Sequence, residues 1–120
     1  MFIFINQLNQ LSMNEITVTG YLGNDAQVKD VKDQKVINFS VGTTRNFTDS
    51  AGTKKSSTTW VECSMWRKND NVSTFLKKGK HVLVKGEPTA SAYLSKDTLE
   101  PKGVIHCNVE EIEFLDKAAV

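Results

Sequence analysis

Residues 58–68, reading TTWVECSMWRK, hold the side chains whose types and spacing point to chemistry. Read as a β-strand, the segment puts Val61, Cys63 and Met65 on one face and Trp60, Glu62, Ser64 and Trp66 on the other. The first set suits a core. The second is unusual for a face turned to water, because two indoles share it with a carboxylate and a hydroxyl, and Arg67 and Lys68 follow directly. Flat aromatic faces beside cationic side chains fit unstacked nucleobases carried on a phosphate backbone. The same pattern also fits two indoles covered by a loop, a helix or a second subunit. The strand alone leaves both readings open.

The elements that must position this strand are legible from alternation and breakers. Glu15 to Leu22 alternates, with Ile16, Val18, Gly20 and Leu22 inward, and Gly20 marks a bend or bulge. After the turn signal Gly23-Asn24-Asp25, residues 26–35 are polar and mixed in charge, a loop or ragged strand end. A second strand runs from Lys35 to about Thr44 with Ile37, Phe39 and Val41 inward. Arg45-Asn46-Phe47 leads into a small, polar, basic stretch through Ser57, expected to be a long hairpin loop that is flexible when empty. Phe47 lies past the strand end in polar company and is not expected in the core.

The strand with both tryptophans comes third. Asp70 or Asn71 can then cap a helix of about two turns carrying Val72, Phe75 and Leu76, stopped by Gly79 in a left-handed conformation. A fourth strand spans His81 to Glu87. Pro88 cannot donate to a ladder and should mark an edge or bend before a further extended piece, Thr89 to Leu94. Val104 to Leu115 is the last strand, where the inward parity of Ile105, Cys107 and Val109 changes to Ile112 and Phe114, as a bulge produces. Three strands, a short helix, a strand and a long last hairpin give an all-β chain: an OB-fold, a five-stranded Greek-key β-barrel with one short helix between strands 3 and 4. A generic β-barrel is the alternative.

At 120 residues the chain is one ordinary domain with the composition of a globular protein. The net charge of +1 conceals an uneven distribution. From Arg45 to Lys85 nine basic residues face three acidic ones, a net +6, whereas Asp97 to Asp116 carries a net −5. Cys63 and Cys107 lie in apolar alternating runs and read as small core residues in a reducing compartment. His106 and Cys107 are adjacent in a strand and face opposite ways, so no metal site and no cofactor are expected. His81 and His106 read as structural residues. Neither a phosphate-binding glycine loop nor a nucleophile–base pair is present, which argues against an enzyme.

The first residues, MFIFINQLNQLS, hold too few apolar positions for a membrane span and no basic leader, so no membrane partner is expected. Residues 1–13 read as an extension of the domain. An alternative has Phe2 and Phe4 docking on the body or on a neighbouring subunit.

With these motifs in order, the chain resembles the bacterial single-stranded-DNA-binding protein (SSB) family. The resemblance is carried by NEITVTGYLGNDAQVK, NFSVGTTRNF, TTWVECSMW, FLKKGKHVLVKGE and NVEEIEFL, and covers residues 14–115. It implies sequence-independent binding and protection of single-stranded DNA in replication, recombination and repair. It also implies four base-stacking aromatics, at Phe47, Trp60, Trp66 and Tyr93. Phe47 stands where tryptophan is more usual and Trp66 where phenylalanine is, and both exchanges keep an aromatic face. Phosphate contacts would come from Arg45, Lys54, Lys55, Arg67, Lys68 and Lys85, with Lys29 a secondary candidate. The implied partners are single-stranded DNA and a second copy of the chain, as a homotetramer or dimer assembled partly through the first strand. The implied setting is the bacterial cytoplasm at the nucleoid. Residues 116–120 lack the linker and acidic tip through which family members recruit partners, so tail-mediated partners are doubtful here. The tail-less primosomal OB proteins, and an OB-fold protein-interaction module, are the other readings, and RNA is an alternative ligand.

Overall fold

A computed structural model describes residues 13–116. The extension at residues 1–12 and the end at 117–120 lie outside the described residues. Six strands are present: β1 (Ile16–Leu22), β2 (Gln27–Val31), β3 (Gln34–Thr48), β4 (Lys54–Arg67), β5 (His81–Leu94) and β6 (Pro101–Phe114). Five of them close a barrel in the order β1-β5-β6-β4-β3, sealed where Tyr21 and Leu22 of β1 pair with Gly42 and Val41 of β3. All strand pairs are antiparallel except β4 with β6, which run parallel from Val61–Ile105 to Ser64–Asn108. This is the expected OB-fold.

The inward residues of each strand make the core. Ile37, Val41, Val61, Met65, Val82, Val84 and Cys107 are fully or almost fully buried, with Val18, Leu22, Phe39, Cys63 and Val109 packed among them. Cys63 and Cys107 are register partners on β4 and β6, both free thiols; burial is the main cause that raises both above the usual thiol range. His106 is exposed while Cys107 is buried, so the two do face apart. Among the described residues no helix is long and apolar enough to cross a membrane.

Several expectations are revised. The helix after β4 is a single 3₁₀ turn, Asn71–Phe75, and Asp70 gives no side-chain cap. Instead the amide and hydroxyl of Ser73 both donate to the Asp70 carbonyl. The chain leaves the helix after one turn because Leu76 must drop into the end of the barrel, where it is fully buried. Its carbonyl there accepts from the amide of Ala26. Gly79 does take the left-handed conformation, at φ 89°. Residues 27–31 are a regular strand, β2, paired with β3 from Gln27–Asn38 to Val31–Gln34.

No bulge interrupts β1 at Gly20, where the register to β5 is unbroken, and β1 takes up β3 as a second partner directly after it, at Tyr21 and Leu22. What requires glycine there is the Gly42 carbonyl, which occupies the space of a Cβ where β1 and β3 meet. The bulge expected in β6 is found: Lys85 pairs with Glu111 and Gly86 with Val109, leaving Glu110 over. Finally, β5 is one continuous strand through Pro88. The β1 ladder stops at Gly86, so Pro88 lies beyond the point where β1 covers that edge.

Candidate nucleic-acid interface

The barrel extends into two hairpin arms. In one, β3 and β4 stay paired from Thr43–Thr59 out to Thr48–Lys54. In the other, β5 and β6 stay paired from Thr89–His106 out to Leu94–Pro101. Because β4 and β6 are parallel and each begins in its arm, both arms leave the same end of the barrel. The stretch expected to be a loose loop through Ser57 is therefore mostly a two-stranded ribbon, and only Asp49–Thr53 turns. That turn is organised by Asp49, whose Oδ1 accepts from the amides of Ala51 (3.0 Å) and Thr53 (2.9 Å) while Oδ2 faces Lys55 Nζ at 3.3 Å. The Thr53 amide, more than any other partner, holds this carboxyl below the usual carboxylate range, with Lys55 and Ala51 adding to it. Gly52 supplies the left-handed residue at φ 82°.

Trp60 lies at the root of the arms, and Trp66 at the far end of β4. Both indoles point outward, 52% and 43% exposed, so neither is sealed within the chain. Between them the flank is held by cross-strand pairs: the Ser40 hydroxyl donates to the Glu62 carboxylate (3.0 and 3.1 Å), and Ser64 Oγ donates to Asn38 Oδ1 (2.8 Å). Glu62 and Ser64, which share this face with the two rings, thus find their partners on β3. At Trp66 the register row runs Trp66–Val36–Lys29 across β4, β3 and β2. Val36 is buried yet lies outside the main core, on the indole's own side of the sheet.

At Trp60 the register row runs Trp60–Gly42–Tyr21–His81. A Cβ at Gly42 or Gly23 would come within 2.8 and 2.6 Å of Trp60 Cζ3, so both glycines leave room for the indole. Tyr21 is exposed and stacks on His81, with centroids 4.4 Å apart and planes 14° from parallel.

The remaining candidates are distributed along the arms and strand ends. Phe47, 41% exposed, lies between two open clefts of the β3–β4 arm, one lined by Lys54, Lys55 and Ser56, the other by Arg45, Ser57 and Thr59. Tyr93, 57% exposed, sits near the tip of the β5–β6 arm opposite Lys102. Alternation keeps it on the outward face with Thr89, whose register row runs through His106 to Glu62. Arg45, Lys54 and Lys68 are exposed and form no ion pair among the described residues. Arg67 folds back, donating to the Trp66 carbonyl at 2.9 Å. Lys29 comes directly to the Trp66 row.

Lys85 does not join this group. It projects from β5 beside Glu15, Nζ to Oε1 3.4 Å, with Glu111 as its register partner on β6. Gly23, Gly42 and Val36, which shape the surface around the indoles, carry no signal of that role in the sequence. Only the folded barrel brings them together, Val36 and Gly42 through strand register and Gly23 from just beyond β1, since each lies well away from its tryptophan in the chain.

This fold and flank define a class: an OB-fold domain with aromatic rings left open on one outer face and two arms beside it that carry basic and aromatic side chains. A sequence profile of the Single-strand binding protein family matches residues 13–115, and the chain belongs to that family. It is 36% identical over 76 residues to Single-stranded DNA-binding protein 1 of Chlorobaculum tepidum, an alignment covering 62% of this chain and 47% of that protein. It is 33% identical over 92 residues to the single-stranded DNA-binding protein of Neisseria meningitidis serogroup A, covering 75% of this chain and 53% of that protein. The chain thus spans about half the length of these relatives. Among solved structures, the Plasmodium falciparum SSB in complex with ssDNA superposes with a TM-score of 0.68 at 27% identity, covering 88% of this chain and 96% of that one. A small single-stranded DNA-binding protein from Streptomyces coelicolor matches the fold with the same TM-score at 15% identity, covering 87% of this chain and 95% of that one.

Proposed function

We propose that this chain binds single-stranded DNA without sequence preference, by stacking bases on Trp60 and Trp66, with Phe47 and Tyr93 extending the path along the two arms. Every base has a π-face, so rings on an open flank accept any sequence. Arg45, Lys54, Lys55, Lys68 and Lys29 would meet the phosphates, and Arg67 would do so after releasing the Trp66 carbonyl. Lys85, on β5 between β1 and β6 and away from the β4 flank, is left out of this path. The observation that carries this reading is the half-exposed indole of Trp60, outward on a strand whose inner face already fills the core. Similarity to single-stranded DNA-binding proteins, and to a chain solved with ssDNA, supports the same ligand.

The protein acts by binding and protection rather than catalysis, in replication, recombination and repair. The setting proposed is the cytoplasm, at the nucleoid; the two buried free thiols suit a reducing compartment. Self-association, to a dimer or tetramer, would use β1: between Ile16 and Gly20 this strand is paired with β5 on one edge and with nothing on the other among the described residues. Titration with oligo-dT at two salt concentrations, followed by tryptophan emission, tests the ligand assignment. Stacking quenches the emission, and phosphate contacts make the affinity fall with salt. An unquenched signal, or an affinity indifferent to salt, contradicts the assignment. Equal quenching by oligo-U would extend the ligand to RNA.

A further inference from the structure

We propose that Gly23 and Gly42 are positioning residues for Trp60: together they form a notch that seats the benzo edge of the indole and so fixes the ring plane offered to a base. This rests on the stacking role proposed above for Trp60.

Gly42 is the register partner of Trp60 on β3, and Gly23 follows β1, tied to β3 by its amide donating to the Ser40 carbonyl at 3.0 Å. A Cβ on Gly42 would stand 2.8, 2.9 and 3.1 Å from Cζ3, Cη2 and Cε3 of Trp60. A Cβ on Gly23 would stand 2.6 and 2.9 Å from Cζ3 and Cη2. The same edge of the ring thus rests against two backbones from different parts of the barrel.

Backbone conformation does not explain either glycine. The glycines with positive φ are Gly52 and Gly79, so Gly23 and Gly42 occupy conformations open to any residue. Gly42 even lies inside a regular strand, where glycine is ordinarily a poor choice. What both lack is room, and at each the atoms nearest an added Cβ all belong to Trp60. The crowded atoms are the far end of a side chain. An added methyl would therefore displace the ring and leave the strands in place. A tryptophan at an exposed strand position otherwise samples several rotamers; one confined by a notch meets the base already oriented, and loses less entropy on binding.

The test is a double-mutant cycle in oligo-dT affinity with Gly42→Ala and Trp60→Ala, repeated with Gly23→Ala. Each alanine should weaken binding several-fold in the presence of Trp60, and by less than about twofold in the Trp60→Ala background. A parallel readout uses Trp66→Phe protein, in which Trp60 is the sole indole: Gly42→Ala or Gly23→Ala should change its emission maximum and raise its quenching by acrylamide, while thermal unfolding stays within a few degrees. Equal losses with and without Trp60 would overturn the proposal, since the glycines would then act through the backbone. Unchanged affinity and emission in both alanine variants would overturn it as well. If Gly42→Ala prevents folding, Gly23→Ala, at the edge of the barrel, carries the cycle alone. Full affinity of the Trp60→Ala protein would instead defeat the stacking role itself, an outcome the emission measurement separates from the seating of the ring.

Discussion

On the β4 flank of the barrel, the outward positions hold Trp60, Glu62, Ser64 and Trp66; on the β1–β5–β6 flank they hold Thr17, Thr19, Leu83, Lys85, Glu111 and Glu113, with the Tyr21–His81 pair at the end that meets β3. The inward positions of the two flanks are interchangeable in character, Val61, Cys63 and Met65 against Val18, Val82 and Val84. A shared core thus closes the barrel and leaves the outer faces free to differ. On the first flank the carboxylate is bound by Ser40, the rings are open, and the adjoining arm carries Arg45 and Lys54, which form no ion pair among the described residues, beside Lys55, which faces Asp49. On the second, the lysine meets Glu15 and the remaining charges are acidic. Charge is segregated by face, which the near-zero net charge of the whole chain hides.

The most damaging way to break this contrast is Trp60→Ala. In single-strand-binding OB-folds as a class, removing a stacking aromatic costs about 1–3 kcal/mol per base. The affinity for oligo-dT should therefore fall by about fivefold to 150-fold, with the folded state intact. Next in size is the arm. Replacing Lys54 and Lys55 by alanine should lower the salt dependence of binding, by about 0.7 in the log–log slope for each phosphate no longer neutralised. An unaltered slope would place the phosphates elsewhere.

A smaller effect is expected at the arm's turn. Asp49 is held below the ordinary carboxylate range, so the folded turn is favoured by its ionised form. That contribution is complete above the unfolded value of about 3.9 and is lost as pH falls through the lower folded value. The amide resonances of Ala51 and Thr53 should accordingly titrate at a pH below that of a free aspartate. Titration at the free value would mean that the turn does not hold the carboxylate. Asp49→Ala should loosen the arm and weaken oligo-dT binding less than Trp60→Ala does. Smallest of all, Lys85→Ala on the opposite flank should change affinity by less than about twofold, since an exposed lysine already facing a glutamate adds little. A loss as large as that of Trp60→Ala would erase the distinction between the flanks.

Much of this is legible in the sequence where one face of a strand is buried. The period of two in 61–65 and 37–41, and the change of parity around Glu110, follow from that burial and mark the strands and the bulge. Legibility fails where burial does not discriminate. Residues 45–57 form a ribbon closed by the Asp49–Thr53 turn, with two solvated faces, so their Thr, Ser and Lys alternate with nothing and read as loop. Only Val28 of β2 packs against the core, too little to mark a strand among lysines and aspartates. The helix is shorter than its pattern suggests because Val72, Phe75 and Leu76 have helical spacing, whereas only Leu76 is fully buried and Phe75 stays exposed, edge-on to Phe114. Pro88 suggests an edge or a bend, and it lies at an edge: β1 ends its pairing two residues earlier, so β5 runs on unbroken. At the site, the outward tryptophans are readable from parity alone. Their surroundings are not: Lys29 and Val36 beside Trp66, and the glycines under Trp60, come together only through pairing across strands.

The claim that the open indoles are the contact surface is tested most directly by the two indole Nε1–H resonances in a proton–nitrogen spectrum, assigned with Trp60→Phe and Trp66→Phe. On addition of oligo-dT both should shift strongly, and to saturation together with binding. Oligo-dT bound to the protein with both resonances unmoved would contradict the account.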